Sequence, residues 1–214
     1  MSKRLAEKNY LPQKSPRDTW LAGRFNLPGV EQPVSVSVAL LQHDVASLGY
    51  VIQEPDRLVE FLPEKAAELG VPAGIVWNSL EAGNTVKFSD KTVTPHEVFK
   101  VERGRKIVLL GDNGDASRIK PLAQNADVVV HDATLPHTEL SATTSKDFST
   151  VRMGISFASS VNAKSLFLTH FSPQVDAEKE LLDASPFHNY GGQIHLANDL
   201  QTFEIPRTGD ISQP

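Results

Sequence analysis

The chain has no cysteine, which rules out disulfides and thiolate metal sites, so any metal would be held by histidine and carboxylate. The same absence suits a reducing compartment. No apolar run approaches the roughly 18 residues that a membrane-crossing helix needs. Positive charge is the scarcer sign: Lys+Arg 21 against Asp+Glu 26 leaves a net charge of -5. That argues against a globally basic nucleic-acid binder and leaves room for a local basic patch. No histidine precedes His43, so a two-metal site is not expected to be completed from this chain alone.

What is present reads as one ordinary domain with an extra arm: 214 residues, 40% hydrophobic and 22% charged. The charge is uneven. Before residue 25 stand Lys3, Arg4, Lys8, Lys14, Arg17 and Arg24 against Glu7 and Asp18, a net +4 that leaves -9 for the remainder. Residues 1–33 also hold Pro12, Pro16, Pro28 and Pro33 and show little periodicity, the mark of an extended basic arm. Such an arm either lies on RNA or a partner subunit or is a solvated tail. It has no apolar stretch of the secretory kind, and the expected location is intracellular: cytoplasm or an organelle, the mitochondrion included. The domain proper is expected over residues 34–207, with 208–214 as a tail.

Val34-Ser-Val-Ser-Val-Ala-Leu-Leu41 alternates apolar and small polar residues, a half-buried strand that delivers His43 at its end. Leu48–Ile52 pairs with it as a hairpin. Pro63–Leu69 reads as a short helix begun by proline and stopped by Gly70. Pro72–Gly74 is a turn, and Thr85–Val93 a small hairpin around Ser89 and Asp90. From Lys106 onward strand and helix alternate: strands at 106–111, 127–131 and 165–169, helices near 116–124, 149–162 and 177–184. Asp147 or Ser149 is placed to cap the long helix, whose Val151, Ile155, Ala158 and Val161 share one face. Closing strands are expected at Gln193–Ala197 and Thr202–Ile205.

Three apolar strands run into ionisable residues: Ile107 to Asp112, Asp127 to His131-Asp132, and Ser165 to His170. Ligands of α/β sheets sit outside the carboxyl ends of the strands. His43, Asp112 and His170 therefore form a candidate metal set, with His131 and Asp132 beside them as candidate proton-relay groups. Taken singly, a Gly-Asp at a strand end is often a turn or helix cap, and a lone histidine is more often structural. Their joint occurrence at strand ends supports the metal reading. His96, His137, His188 and His195 are read as surface residues.

These residues fall into motifs. His43-Asp-Val-Ala-Ser-Leu-Gly-Tyr50, Glu68-Leu-Gly-Val-Pro-Ala-Gly74, Leu80-Glu-Ala-Gly-Asn-Thr-Val86, Gly111-Asp112-Asn113, His131-Asp132-Ala-Thr134 and Leu168-Thr-His170-Phe-Ser-Pro173 follow in order. From about Val34 to Pro206 the chain resembles the C-terminal part of ribonuclease Z (tRNase Z), a family of metallo-β-lactamase-fold endonucleases that trim tRNA 3′ trailers. The resemblance implies an α/β fold of the αββα sandwich type, of which this chain carries the second half. It implies zinc, with His43 and Asp112 serving one ion and Asp112 and His170 the other.

The departures shape the functional expectation. The family's His-x-His-x-Asp-His motif, which supplies four zinc ligands, does not occur in these 214 residues. The family's His-Ser-Thr motif reads Phe148-Ser149-Thr150, and its His-Glu-Ala-Thr carboxylate is the shorter Asp132. A phenyl ring neither moves a proton nor ligates zinc. Two protein ligands per metal fall short of the roughly three that catalytic zinc sites use, so zinc is expected to be absent or weakly bound. The expected function is a degenerate, non-catalytic tRNase Z-like subunit of a larger complex, one in which RNA is a candidate component. The alternatives are one half of a split tRNA 3′-processing enzyme completed by a partner chain, or a different metal hydrolase using His43, Asp112 and His170. A half sandwich also leaves one sheet face bare, so a protein partner covering that face is expected.

Overall fold

The computed structural model describes residues 19–28, 32–136, 147–185 and 189–207. In chain order these form β1 (Thr19–Phe25), β2 (Val34–Leu41), β3 (Ser47–Gln53), β4 (Arg57–Phe61), α1 (Pro63–Glu68), α2 (Ile75–Glu81), β5 (Val86–Phe88), β6 (Lys91–Val93), α3 (Pro95–Val98) and β7 (Phe99–Glu102). There follow β8 (Lys106–Leu110), a 3-10 turn (Ser117–Ile119), α4 (Lys120–Ala123), β9 (Val128–Asp132), α5 (Val151–Ser160), β10 (Ser165–Thr169), α6 (Ala177–Ala184) and β11 (Gln193–Leu196). Two units result. The first runs up to Glu54 and resumes at Arg105; the second is Pro55–Gly104.

The first unit is built on a seven-stranded sheet in the order β1-β2-β3-β8-β9-β10-β11. The pairs from β1 to β8 are antiparallel and those from β8 to β11 parallel. Parallel neighbours need crossover connections, which the helices between β8, β9, β10 and β11 supply. Ala39, Val51, Val108, Val129, Leu166 and Leu168 of the sheet join Ile119, Val151, Ile155, Ala158 and Val161 of the helical layer in one buried cluster. Gly49 makes the fit possible. A Cβ there would stand 2.8 Å from Ile119 Cδ1, 3.0 Å from Leu110 Cδ2 and 3.1 Å from Leu41 Cδ2.

On the opposite face, register aligns Val38, Tyr50, Leu109, Val130, Phe167 and His195 in one row. The segment after β11 folds back over one end of that row, with Phe203 edge-on to Phe167 (ring centroids 4.6 Å apart) and to His195 (5.3 Å). Its far end is tied down by Arg105, whose Nη1 donates to the Ile205 carbonyl (2.6 Å), and by Arg207, 3.0 Å from Glu54. Glu54 also receives the Arg105 guanidinium through Nε (2.8 Å) and Nη2 (2.6 Å). That hydrogen bonding holds the Glu54 carboxyl below its usual range. The expected bare face is therefore partly covered. Tyr50 and Leu109 remain 39% and 38% exposed.

The second unit has its own core of Ala66, Val71, Leu80, Val93 and Val98, flanked by Phe61, Trp77 and Phe99. Glu97 accepts the Thr94 backbone N–H (2.7 Å) and so begins α3. The tight β5–β6 turn places Ser89 in the left-handed region, φ 51.

Several local expectations change. Part of the stretch read as an arm is strand β1, because Gly23 (φ 153) and the register shift between Leu21 and Gly23 break the alternation that would have revealed it. Lys3, Arg4, Lys8, Lys14 and Arg17 lie outside the described residues; Arg24 is an exposed residue of β1. The helix expected at 116–124 is a 3-10 turn followed by a four-residue helix, interrupted where Pro121 lacks an N–H to donate. The long helix spans 151–160, and its cap is neither Asp147 nor Ser149 but Thr150, whose side chain accepts from Met153 N (3.4 Å). Thr202–Ile205 is not a strand; this segment is fixed by Phe203 and Arg105 instead. Helices α2 and α3 and the pair β4–β7 were not anticipated, being too short to show a period. Gly49→Val should insert bulk among three core methyls and lower stability by about 2–3 kcal/mol, measured by urea unfolding. A neutral result would show that Ile119 packs elsewhere.

Candidate active site at the sheet edge

Strands β8, β9 and β10 run parallel with Ile107, Val128 and Ser165 in register, so their carboxyl ends arrive together. Asp112 follows β8, Asp132 ends β9 and His170 follows β10. The Asp112 carboxylate lies 3.1 Å from His170 Nδ1, and Thr134 Oγ1 lies 3.0 Å from the same nitrogen. His170 has φ 60, a left-handed conformation costing a non-glycine residue about 1–3 kcal/mol. Such strain is found where structure holds a side chain for a purpose.

Behind this pair lies a buried polar knot. Asp132, 2% exposed, accepts Asn113 Nδ2 (2.6 Å) and the Ser149 backbone N–H (3.3 Å). Asn113 Nδ2 also donates to the Gly111 carbonyl (3.0 Å), and Ser149 Oγ donates to the Asn113 carbonyl. One carboxylate thus links the turn after β8, the end of β9 and the start of α5. Burial pushes the Asp132 pKa up to about 6, against the two hydrogen bonds that favour its anion. His131 is equally buried, and burial holds its pKa down at about 4. It is a neutral imidazole whose Nδ1–H donates to the Asp132 carbonyl (2.7 Å).

His43, after β2, has other contacts. Its Nδ1 is 2.6 Å from the Asp44 carboxylate and also accepts the Val45 backbone N–H (3.3 Å). Nε2 is buried without a hydrogen-bond partner. The Phe148 ring stands edge-on against this imidazole, centroids 5.3 Å apart at 86°. The structure thus brings Asp112 and His170 into contact, while His43 engages Asp44 and Phe148. Among the described residues there is no group of three or more His, Asp or Glu placed to hold a metal. By themselves these residues do not fit a catalytic zinc, which takes about three protein ligands, and no chemical step is derived through one.

Of the remaining histidines, His96 is exposed and His137 and His188 lie outside the described residues. His195 is not the surface residue expected. It stacks on Phe167 (4.4 Å, 15°), and burial lowers its pKa. Sequence reasoning missed Asn113 as the donor that holds Asp132. Its position directly after Gly-Asp at a strand end was the available signal.

Known proteins resemble the chain over most of its length. Ribonuclease Z of Natronomonas pharaonis is 34% identical over 166 residues, covering 77% of this chain and 54% of that protein. Ribonuclease Z of Brevibacillus brevis is 31% identical over 183 residues, covering 83% and 58%. Over most of its own length the chain resembles the ribonuclease Z family. It spans about half the length of the curated relatives it matches. No protein-family model matches it. Among solved structures, the human tRNase Z short form superposes with TM-score 0.50 at 22% identity, over 90% of this chain and 49% of that one. The fold is α/β, of the metallo-β-lactamase type seen in tRNase Z structures. No helix among the described residues is long and apolar enough to cross a membrane.

The buried pair makes a pH prediction. Native Asp132 keeps its proton up to about 6 rather than the usual 3.8. The native state then binds the extra proton in that window, and stability falls as pH rises through it. Native His131 is already neutral above about 4, against 6.5 when unfolded, so its contribution rises over the same range. At about 1.4 kcal/mol per unit each effect is about 3 kcal/mol, and the two offset. Asp132→Asn should leave the His131 slope alone, so the variant gains about 3 kcal/mol relative to wild type between pH 4 and 6.5. Urea titrations across that range measure it; a constant difference would contradict the buried-pair assignment.

Proposed function

We propose that this chain is a non-catalytic member of the ribonuclease Z family, retained as a subunit that works in contact with another protein, with RNA a candidate component of the assembly. One observation carries the reading: Phe148, at the position of the family's proton-transfer histidine, packs edge-on against His43. Proton transfer contributes about 10²–10⁴-fold in rate, and phenylalanine supplies none of it. Asp112 and His170 stand 3.1 Å apart with both side chains about half exposed.

The protein-partner part of the reading is supported by the sheet face opposite the helices. Tyr50 and Leu109 are cross-strand neighbours there, each more than a third exposed, and Phe25 of β1 is 48% exposed. Apolar side chains at the centre of a sheet face are normally covered by a second layer.

The test is incubation of the purified chain with a precursor tRNA and zinc. No 3′-trailer cleavage is expected, and none should appear in Phe148→His. Cleavage that disappears in Asp112→Ala would overturn the reading and favour an enzyme completed by other residues. In parallel, light scattering should detect association that Leu109→Glu weakens; a monomer at every concentration, unchanged by that substitution, would remove the support for a covered face.

A further inference from the structure

A second concave feature lies on the helical side of the sheet, in the first unit. It is a cavity of about 450 Å³ between the turn after β8, the start of α4, and α5, within the 300–1,000 Å³ range of small-molecule sites. Its buried floor is Asn113, Ala116, His131, Ile155, Phe157 and Ala184. Asp115, Ser117, Lys120, Arg152, Met153 and Ser156 form the more exposed rim.

The floor carries one open acceptor in a largely apolar surface, with a second sealed beneath it. Asn113 spends its amide N–H groups on Gly111 and Asp132, and its Oδ1 is buried with no hydrogen-bond partner. A buried amide oxygen without a donor costs about 1–3 kcal/mol, and this one is sealed from the contents of the cavity. His131 commits Nδ1–H to the Asp132 carbonyl, which leaves Nε2 as a lone-pair acceptor. The rim is cationic. Lys120 and Arg152 stand on it, the latter held by its Nη2 bond to the Asp183 carbonyl (3.1 Å). The one rim carboxylate, Asp115, is already bonded by Ser117 through N (2.9 Å) and Oγ (2.7 Å). Its charge is therefore turned toward its own loop.

Apolar walls with an acceptor suit a flat ring bearing an N–H group, and a rim with two cations suits a phosphate. We propose that this cavity binds a nucleoside monophosphate, its base against Phe157 and Met153 with an N–H directed to His131 Nε2, and its phosphate between Lys120 and Arg152. This is independent of whether the chain cleaves RNA, because none of the cavity's donors or acceptors is Asp112, His170 or His43. The nucleotide is either free or the terminus of an RNA strand.

Isothermal titration of the purified full chain with AMP, UMP, adenosine, inorganic phosphate and a short oligoribonucleotide tests it. At least one of AMP and UMP should bind saturably at one site, with adenosine and phosphate about tenfold weaker or worse. Lys120→Ala should weaken that binding about tenfold, and Ser156→Trp, a change at an exposed rim position, should abolish it with the thermal unfolding curve unchanged. An oligoribonucleotide that competes with the mononucleotide would identify a strand end as the source; one that does not would identify the free nucleotide. Both outcomes support the site. Absence of saturable binding by both mononucleotides, phosphate binding as well as they do, or indifference to both substitutions would overturn it.

Discussion

The carboxylate of Asp132 is the constraint on which the sheet edge depends. It sits out of water with no cation beside it, and is kept there by two neutral donors, the Asn113 amide and the Ser149 backbone N–H. Each donor belongs to a different segment, so the bond pair fixes the turn after β8 and the first residues of α5 against the end of β9. Ser149 closes the loop by donating to the Asn113 carbonyl. Networks of this kind hold strongly only when every member is satisfied. Here one member is not: Asn113 Oδ1 has no donor, and Asn113 is among the residues that line the cavity behind the edge. The knot therefore positions both the Asp112–His170 pair on one side and the cavity on the other.

The edge has the layout of a reactive site and the contacts of a packed one. Asp112 and His170 lie 3.1 Å apart, His43 Nδ1 lies against the Asp44 carboxylate and the Val45 N–H, and Phe148 packs edge-on against the imidazole. An aromatic edge contact contributes about 0.5–1.5 kcal/mol beyond its area; on the proposed non-catalytic reading, phenylalanine at this position supplies packing in place of proton transfer. The His131 and Asp132 charges act in the same direction. Burial keeps the first neutral and raises the pKa of the second, which limits the uncompensated charge beneath the edge.

How legible this was in the sequence follows from the length over which each signal is written. The strands β2, β3, β8, β9 and β10 are continuous or alternating apolar runs, and their ends name Asp112, His131, Asp132 and His170 directly. Strand β1 was hidden by a bulge at Gly23, and β4 and β7 by their brevity. The α5 cap was misplaced because Asp147, Ser149 and Thr150 are all capping residues within four positions, and only the hydrogen bond to Met153 separates them. The replacement at Phe148 could be read from the motif, but its contact with His43, over a hundred residues away in the chain, could not. The cavity was invisible for the same reason: its walls come from residues 113–120, 152–157 and 184, with no local pattern joining them. The fold-back of Phe203 onto Phe167 depends on register across the sheet, which no short window contains.

The central claim is that Asp112, His170 and His43 serve structure at this edge rather than a metal pair. Zinc titration of the purified chain by calorimetry, with Asp112→Ala alongside, tests it most directly. The account predicts no stoichiometric zinc uptake that depends on Asp112, and an unfolding midpoint unmoved by zinc. Uptake of about two zinc ions per chain, lost in Asp112→Ala and accompanied by a zinc-dependent rise in stability, would contradict it.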